Sequence, residues 1–338
     1  MRVLVTGATG FVGSHSVRAL LAAGHRVRLL IRSPEKLARV LPAEAAQLDD
    51  VVVGDVTDAA VVDQALRGCE AVLHAAGLVT LAAARAREVL DTNRLGARRV
   101  VGGAVREGLQ SIVYVSSAGA LFAPGRGTIR PEQPVAPARS AYARSKADAE
   151  RFVRDLQERG HPVRISYPCG VLGPDDPGMS EANHMLYTFY RDLFVVTSAG
   201  FQLVDVRDLA SLHARLVALD GGPGRYLAGA ENLSWRELAD RLDALTQAPL
   251  RRLSVPGGML RAAGKVGDVI KRMVDFNFPL TAESMEFATR WPGADASRTR
   301  EELGLDFRPA EETLADTLRW MVRAGHLPAE KIGRLAHC

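Results

Sequence analysis

The sequence predicts an α/β protein built on a doubly wound parallel sheet, with a smaller C-terminal region. Through the first half of the chain, short β-branched runs alternate with amphipathic helical stretches. The runs lack the polar–apolar alternation of half-exposed strands, so both faces of the sheet are expected to be covered. The length of 338 residues, with 47% hydrophobic and 24% charged residues, suits a large α/β unit with an appendage.

Six strands and four helices carry this prediction. The strands are expected at Val3–Thr6, Val27–Ile31, Val51–Val53, Ala71–His74, Ile112–Ser116 and Val163–Tyr167. The helices are expected at Phe11–Ala23, Arg85–Glu107, Ser234–Leu245 and Glu311–Ala324. Gly24 and Gly108 follow the first two helices, where glycine is the usual stop signal. After Tyr167, prolines and glycines break the rhythm, so we divide the chain at residue 173.

Composition excludes several classes of protein. The formal charge of +4 is too small an excess to indicate nucleic-acid binding. No apolar run approaches the roughly 20 residues that span a bilayer. Cys69, Cys169 and Cys338 form neither a disulfide framework nor the close spacing of a metal site, so no metal is expected. Met1–Thr6 reads as a buried strand rather than a signal peptide, and we expect a cytoplasmic protein.

One segment, Leu250–Arg272, is both basic and apolar. Its basic residues are Arg251, Arg252, Arg261, Lys265, Lys271 and Arg272. We expect a solvated amphipathic helix here; peripheral contact with a membrane surface or a lipid-like substrate is the alternative.

A glycine loop follows the first strand directly. Its residues are Thr6, Gly7, Ala8, Thr9, Gly10, Phe11, Val12 and Gly13. Gly7 permits a tight turn, Gly10 lets the backbone approach a pyrophosphate, and Gly13 lets helix and strand pack closely. The N-terminus of the following helix presents free N–H groups and a positive dipole end to an anion. This context predicts a Rossmann dinucleotide-binding domain over residues 1–173. Residues 174–338 would mainly bind substrate, with some segments returning to the first domain.

The spacing of these glycines resembles the short-chain dehydrogenase/reductase superfamily. Its extended branch, the NAD-dependent epimerase/dehydratase family, begins with Thr-Gly-x-x-Gly-Phe-x-Gly, as Thr6–Gly13 does. The matches run to about Gly173 and continue more loosely to about Ala324. The resemblance implies that the cofactor contacts the loop through Gly7, Thr9, Gly10, Phe11, Val12 and Gly13.

The end of the second strand favours NADP over NAD. NAD sites usually place a carboxylate about 20 residues past the loop, to bind the ribose 2′-hydroxyl. Here the first acid is Glu35, and Arg32 stands where a guanidinium could hold a 2′-phosphate. Lys36 can add a second positive charge. The resemblance assigns further cofactor contacts to Asp55, Val56, Ala75, Ala76, Gly77 and Pro168.

Tyr142 and Lys146 form the predicted catalytic pair. A separation of four residues puts both side chains on one face of a helix. A phenol with a pKa near 10 is a poor proton donor and acceptor at neutral pH, and a nearby ammonium lowers that pKa. The Lys146 ammonium can also hold the ribose hydroxyls of the cofactor. Both residues are therefore assigned to catalysis and to cofactor binding.

Two more residues complete the predicted site. Ser117 lies at the end of the fifth strand, where doubly wound folds place their active sites, and would hydrogen-bond the substrate oxygen. Ser116 is the less favoured alternative. Asn93 matches the family's mid-helix asparagine, which supports a proton relay to the lysine.

The resemblance also bears on substrate and assembly. Sugar-nucleotide enzymes of this branch carry an arginine just before a later strand, and the aligned residue here is Phe201. The stretch from Pro279 to Trp320 looks more like dihydroflavonol-4-reductase-like and hydroxysteroid-dehydrogenase-like members. We therefore expect an NADP-dependent oxidoreductase that interconverts a ketone or aldehyde and an alcohol on a hydrophobic small molecule. A homodimer is expected by resemblance alone.

Two other functions remain open. A nucleoside-diphosphate-sugar epimerase or dehydratase with retained NAD would use the same residues. A non-catalytic dinucleotide sensor is the alternative of another class, and it is disfavoured because such relatives often lose the Tyr–Lys pair.

Overall fold

A computed structural model describes residues 1–44, 48, 50–78, 86–138, 140–270 and 281–337. The side chains of Ala86, Ala141, Tyr142 and His337 lie outside this description, as does Cys338.

Seven parallel strands form the central sheet, in the order β10-β6-β5-β4-β1-β2-β3. These strands are β1 (Arg2–Thr6), β2 (Arg26–Ile31), β3 (Val51–Val53), β4 (Ala71–His74), β5 (Ser111–Val115), β6 (Val163–Pro168) and β10 (Gly224–Ala228). The first six agree with the predicted strands to within one residue. The order reverses between β1 and β4, so the carboxyl ends of these two strands flank the crevice in which such folds bind ligands.

Helices cover both faces of the sheet. They are α1 (Phe11–Ala22), α2 (Pro34–Val40), α3 (Ala59–Leu66), α4 (Ala86–Arg106), α5 (Ala141–Glu158), α6 (Glu181–Arg191), α7 (Val206–Ala218), α8 (Trp235–Thr246), α9 (Gly257–Ile270), α10 (Ala282–Arg290), α11 (Ser297–Leu303) and α12 (Ala310–Arg323). One apolar core joins α1, α2 and α7 to the sheet. A second core joins α3, α4 and α5 to its other face. The doubly wound architecture is therefore confirmed.

A third core holds the C-terminal region together. Its strands are β7 (Gly170–Leu172), β9 (Gly200–Asp205) and β11 (Asn232–Ser234) in one sheet, and β8 (Phe194–Val196) with β12 (Arg252–Ser254) in another. Helices α6, α8 and α12 pack around this core through apolar residues such as Leu186, Leu238 and Leu318. Helices α8 and α12 match the two predicted there to within one residue. β10 lies in the sequence between these elements and pairs with β6, so the chain returns to the large sheet.

The basic, apolar segment Leu250–Arg272 is not one helix. Its first part forms β12, which pairs in parallel with β8, and α9 begins only after Pro256. Lys271 and Arg272 fall outside the described residues. In the described part of the chain, no helix is long and apolar enough to cross a membrane.

Two buried histidines tie the sheet to its surroundings. His74 Nδ1 lies 2.7 Å from the Thr6 hydroxyl, which links β4 to β1. On α7, His213 lies between Ser16 of α1 at 2.9 Å and Ser166 of β6 at 3.1 Å. Burial lowers the pKa of each histidine to about 3, and the Lys146 charge adds to the effect at His74. Both imidazoles are therefore neutral across the physiological range.

Stability should fall in acid because of these two histidines. Their folded-state pKa values lie below the ordinary 6.5, so below that pH the unfolded chain binds protons that the folded protein excludes. The stabilisation is complete above pH 6.5 and is lost as the pH falls towards about 3, at roughly 1.4 kcal/mol per pH unit for each histidine. Urea unfolding at a series of pH values measures this slope. The slope should be shallower in His213→Gln, and an equal slope in that variant would contradict the assignment.

Candidate active site

The glycine loop after β1 turns so tightly that two of its positions have no room for a side chain. Gly7 has φ +77°, and a Cβ there would lie 2.6 Å from the Ala76 nitrogen. A Cβ at Gly13 would lie 2.0 Å from the Gly7 carbonyl oxygen. Gly10 donates its N–H to that same oxygen at 2.9 Å and precedes α1 directly. Gly7 and Gly13 thus have the structural roles expected from the sequence.

The start of α1 has no anionic or capping group of its own. Gly10 offers no side chain to cap the helix, and the first turn contains no acid. The N–H groups of Phe11, Val12 and Gly13 therefore lack intrahelical acceptors, as in the first turn of any helix. Thr9 lies beside them in the loop. A site of this kind fits the diphosphate of a dinucleotide.

Arg32 and Asp55, both predicted cofactor contacts, face each other at the ends of β2 and β3. Arg32 Nη1 lies 3.8 Å from Asp55 Oδ2, and the arginine side chain is 68% exposed. Thr57 donates two hydrogen bonds to the other carboxylate oxygen of Asp55, at 2.8 and 2.7 Å. Partial burial raises the pKa of the Asp55 carboxyl, but these bonds and the nearby arginines outweigh it, so the net pKa is lowered. Lys36 lies in the first turn of α2, where its N–H donates to the Ser33 hydroxyl.

Residues after β4 close the other side of the loop. The Ala76 N–H donates to the Thr6 hydroxyl at 3.2 Å, and the Ala75 N–H donates to the Thr6 carbonyl at 3.3 Å. Val56, which is buried, lies next to Gly96 of α4, where a Cβ would be 3.1 Å from its side chain. Ala75, Ala76 and Val56, which are predicted to contact the cofactor, therefore belong to tightly packed segments of the chain.

Asn93 holds the segment after β4 against helix α5. Its side-chain oxygen accepts from the Leu78 N–H at 2.7 Å, and its nitrogen donates to the Leu78 carbonyl at 3.0 Å and to the Ser145 hydroxyl at 2.9 Å. A Cβ at Gly77 would lie 3.4 Å from the Asn93 oxygen and 3.5 Å from Lys146 Nζ. The structure thus brings Asn93, Gly77 and Lys146 together; their roles stay a prediction.

The Lys146 ammonium is partly buried at the end of β5. Its Nζ lies 3.4 Å from the Val115 carbonyl oxygen and 5.9 Å from the centre of the Tyr114 ring. Burial lowers the pKa of Lys146 to about 8, although the Glu150 carboxylate one turn along α5 opposes this shift. The group is therefore still largely protonated at neutral pH.

Glu150 is itself held in a buried network. Arg154 donates to its carboxylate at 2.8 Å, and the Tyr167 hydroxyl donates to the same oxygen. Arg154 also donates to the Tyr167 hydroxyl at 3.0 Å. This network ties α5 to β6, behind the lysine.

The two serines after β5 differ in their surroundings. Ser117 begins a short 3₁₀ helix, Ala118–Leu121, and its hydroxyl oxygen accepts from the Gly119 N–H at 3.1 Å. Its hydroxyl hydrogen can still be donated to a substrate oxygen. Ser116 is buried, and its hydroxyl has no hydrogen-bond partner among the described residues.

Tyr142 lies in the first turn of α5, four residues before Lys146. Its side chain is outside the described part of the structure, so the position of the phenol stays a prediction. The residue that caps this turn is Ser140, whose hydroxyl accepts from the Ala143 N–H at 3.1 Å.

Sequence reasoning missed the contribution of α10 to this region. The Glu283 carboxylate accepts from the Ser140 N–H at 2.6 Å and from its hydroxyl at 3.2 Å. Phe287, one turn later, lies against the Ser117 segment, where a Cβ on Gly119 would be 3.1 Å from its ring. The sequence offers Thr281 as the N-cap of this helix. No local sequence pattern, however, indicates which part of the protein the helix packs against.

Pro168 ends β6, next to the segment that packs against Phe201. A Cβ at Gly170 would lie 2.1 Å from the Phe201 ring, and this ring stacks on Trp235 with centroids 5.9 Å apart. The position aligned with a diphosphate-binding arginine is thus filled by packed aromatic surface. No cluster of residues suited to a metal ion occurs in the described part of the chain.

Similarity to known proteins extends over nearly the whole chain. Residues 3–229 match the NAD dependent epimerase/dehydratase family. Sterol demethylase protein B of Methylococcus capsulatus is 30% identical, with 96% of this chain and 99% of that protein aligned. A 4-hydroxy-2-methyl-3-oxo-4-farnesyl-3,4-dihydroquinoline-1-oxide ketoreductase of Stigmatella aurantiaca is 27% identical, covering 96% of this chain and 98% of that protein.

Solved structures share the fold over the same length. The structure of gox2253 has a TM-score of 0.79 at 26% identity and covers 96% of this chain and 99% of its own. A UDP-glucose 4-epimerase from Bifidobacterium longum, in complex with NAD+ and UDP, has a TM-score of 0.72 at 20% identity, with 96% and 99% covered.

Two alanine substitutions should separate folding from anion binding in the loop. Gly13→Ala places a Cβ 2.0 Å from the Gly7 oxygen, so we expect a loss of about 1–3 kcal/mol in unfolding free energy. Gly10→Ala meets one neighbour among the described residues, at 3.3 Å, and should fold with nearly parental stability. Its methyl group would occupy the space of the phosphates, so affinity for the nicotinamide dinucleotide, NADH or NADPH, should fall about tenfold or more. Thermal unfolding and fluorescence titration with both cofactors test these expectations; full dinucleotide affinity in Gly10→Ala would rule out this binding mode.

Proposed function

The chain belongs to the NAD-dependent epimerase/dehydratase family, and we propose that within it the protein is an NADP-dependent oxidoreductase acting on a hydrophobic small molecule. It would reduce a ketone or an aldehyde, or oxidise a secondary alcohol, with Ser117, Tyr142 and Lys146 at the reacting centre.

The cluster at the carboxyl ends of β4 and β5 carries the proposal. There the partly buried Lys146 ammonium lies close to Gly77 and Asn93, at the same end of the strands as the glycine loop. Burial of a cation is expensive unless a polar ligand completes its hydrogen bonds. The ribose hydroxyls of a dinucleotide are ligands of that kind.

Each protein group would have a distinct task in carbonyl reduction. The Ser117 hydroxyl donates a hydrogen bond that orients the substrate oxygen, and the Tyr142 phenol gives that oxygen a proton. The Lys146 ammonium lowers the pKa of the phenol, so that proton transfer is feasible near neutral pH. Asn93 fixes the positions of the Leu78 backbone and of Ser145 relative to the lysine through its hydrogen bonds. When bound, the nicotinamide supplies the hydride, or accepts it in the reverse direction.

The aromatic surface next to Ser117 supports an apolar substrate. The Phe287 ring is 37% exposed and packs with Phe122 and Trp291, with centroids 4.6 and 5.1 Å away. A partly exposed aromatic wall of this kind suits a hydrocarbon or a ring. The two aligned relatives carry names that refer to a sterol and to a farnesyl-bearing ring.

A sugar-nucleotide epimerase is the second candidate, because the fold is shared with the UDP-glucose 4-epimerase structure. Phe201 argues against it, since an apolar ring cannot bind a diphosphate as a guanidinium does. Calorimetry separates the two functions: tight binding of UDP-glucose would favour the epimerase, and binding of apolar ketones alone would favour the reductase.

Replacing the phenol tests the chemistry. Tyr142→Phe should lower turnover by about a hundredfold to ten-thousandfold, because it removes the proton donor. NADPH should still bind, since the glycine loop is unchanged. Tyr190→Phe is the matched control, because that buried tyrosine belongs to the core of the C-terminal region and not to the candidate site. Stopped-flow measurement of NADPH oxidation over a panel of ketones reports the rate, and near-parental turnover in Tyr142→Phe would exclude this mechanism.

Replacing Arg32 tests the choice of cofactor. The side chain is 68% exposed and, among the described residues, its one ion pair is the long contact with Asp55, so Arg32→Ala should fold normally. Its affinity for NADPH should fall about tenfold or more, through loss of charged hydrogen bonds to the 2′-phosphate, while affinity for NADH stays the same. Arg39→Ala, an exposed arginine later in α2, should change neither affinity. Equal losses for both cofactors in Arg32→Ala would contradict the NADP assignment.

A further inference from the structure

Helix α9 presents an apolar face to solvent. Met259, Val266, Val269 and Ile270 are 64%, 59%, 56% and 44% exposed, and Ala262 lies among them. At 3.6 residues per turn, these five residues occupy an arc of about 100° that contains no polar side chain. An apolar arc of this width is what a helix normally turns towards a protein core. We call this arc the α9 outer face.

The opposite side of α9 makes the contacts with the rest of the protein. A Cβ at Gly264 would lie 2.7 Å from the Thr281 carbonyl oxygen, so α9 and α10 pack closely there. Asp268 accepts from the Ala282 N–H at 3.3 Å, and Arg261 donates to the Thr289 hydroxyl at 3.0 Å. The helix is therefore seated by its glycine and its polar residues. Its four exposed large apolar side chains, those of Met259, Val266, Val269 and Ile270, point away from the protein.

The same segment holds the positive charge of the chain. Leu250–Arg272 contains six basic residues and one acid, a formal charge of +5, whereas the entire chain carries +4. The remainder of the protein is therefore slightly acidic. Lys265 is exposed at the edge of the α9 outer face, and Arg251 is exposed before β12. The single acid, Asp268, is occupied by its bond to α10.

We propose that the α9 outer face docks on the surface of an anionic lipid bilayer. Apolar side chains flanked by cations are the composition with which a helix lies in the interface of such a membrane. Each lysine or arginine near an anionic surface strengthens attachment, and the attraction is screened by salt. A second copy of the chain is a poor occupant, because a two-fold contact would oppose two segments that each carry net positive charge, even though Asp240 and Asp243 pair with Arg252.

The position of α9 would bring the membrane surface close to the candidate site. α10, against which α9 packs, carries Glu283 to the Ser140 cap and Phe287 to the Ser117 segment. A bilayer held at the α9 outer face would thus lie one helix away from the candidate site, and an apolar substrate could pass directly between the two. This last step rests on the proposed function, whereas the docking itself does not.

Vesicle binding tests the docking. The full chain should co-sediment with vesicles of equal parts phosphatidylcholine and phosphatidylglycerol, bind pure phosphatidylcholine more weakly, and be released by salt. Val266→Glu should lower the partition coefficient about tenfold or more, since it sets a carboxylate in the apolar arc. Val53→Glu is the matched control: this valine is 56% exposed on the edge strand β3, and the variant should bind as the parent does.

A second variant reports where the contact forms. All three native tryptophans are less than one-tenth exposed, so the indole in Met259→Trp should give the main emission shift to the blue on anionic vesicles. Absence of vesicle binding, or equal binding by Val266→Glu and the parent, would overturn the proposal. So would light scattering that shows a parental dimer and a monomeric Val266→Glu, because the face would then be a protein interface. None of these results would bear on turnover, which tests the proposed function separately.

Discussion

Removing the Lys146 ammonium from water costs free energy, and much of the candidate site can be understood as the surroundings that this cation requires. The Val115 carbonyl lies 3.4 Å away and the Tyr114 ring 5.9 Å away, while Glu150 favours the charged form from the next turn of α5. These contacts do not fully replace water, because the pKa falls to about 8. The phenol of Tyr142 and the ribose hydroxyls are the partners that the proposed function adds.

The neighbours of this cation are held in place around it. The segment after β4 passes the ammonium as bare backbone at Gly77 and is fixed by Asn93. His74 is kept neutral, because burial and the lysine charge both lower its pKa. Among the described residues, the charge at the carboxyl ends of β4 and β5 is therefore that of Lys146, as the proposed tuning of a phenol requires.

Strands β1 to β6, the glycine loop and the Tyr–Lys spacing could be predicted because each depends on local sequence. A buried strand can be recognised as a run of apolar residues. Gly7 and Gly13 lie in one short loop, where a side chain at either position would clash with the backbone. The rest depends on contacts between distant residues. Ser140 and Glu283 are 143 positions apart, and no periodicity links them. The apolar side of α9 is visible in the sequence, but periodicity alone would place it in a core, and only the structure shows that it faces outward.

The state of the Lys146 ammonium tests this account most directly. The chain has only five lysines, so a protein labelled with ¹³C and ¹⁵N at lysine can be titrated by NMR, with Lys146→Arg identifying the resonance. The Lys146 resonance should titrate near pH 8. A Lys146 resonance that titrates near the ordinary 10.5 would show that the cation is solvated, and the organisation of the site around it would be wrong.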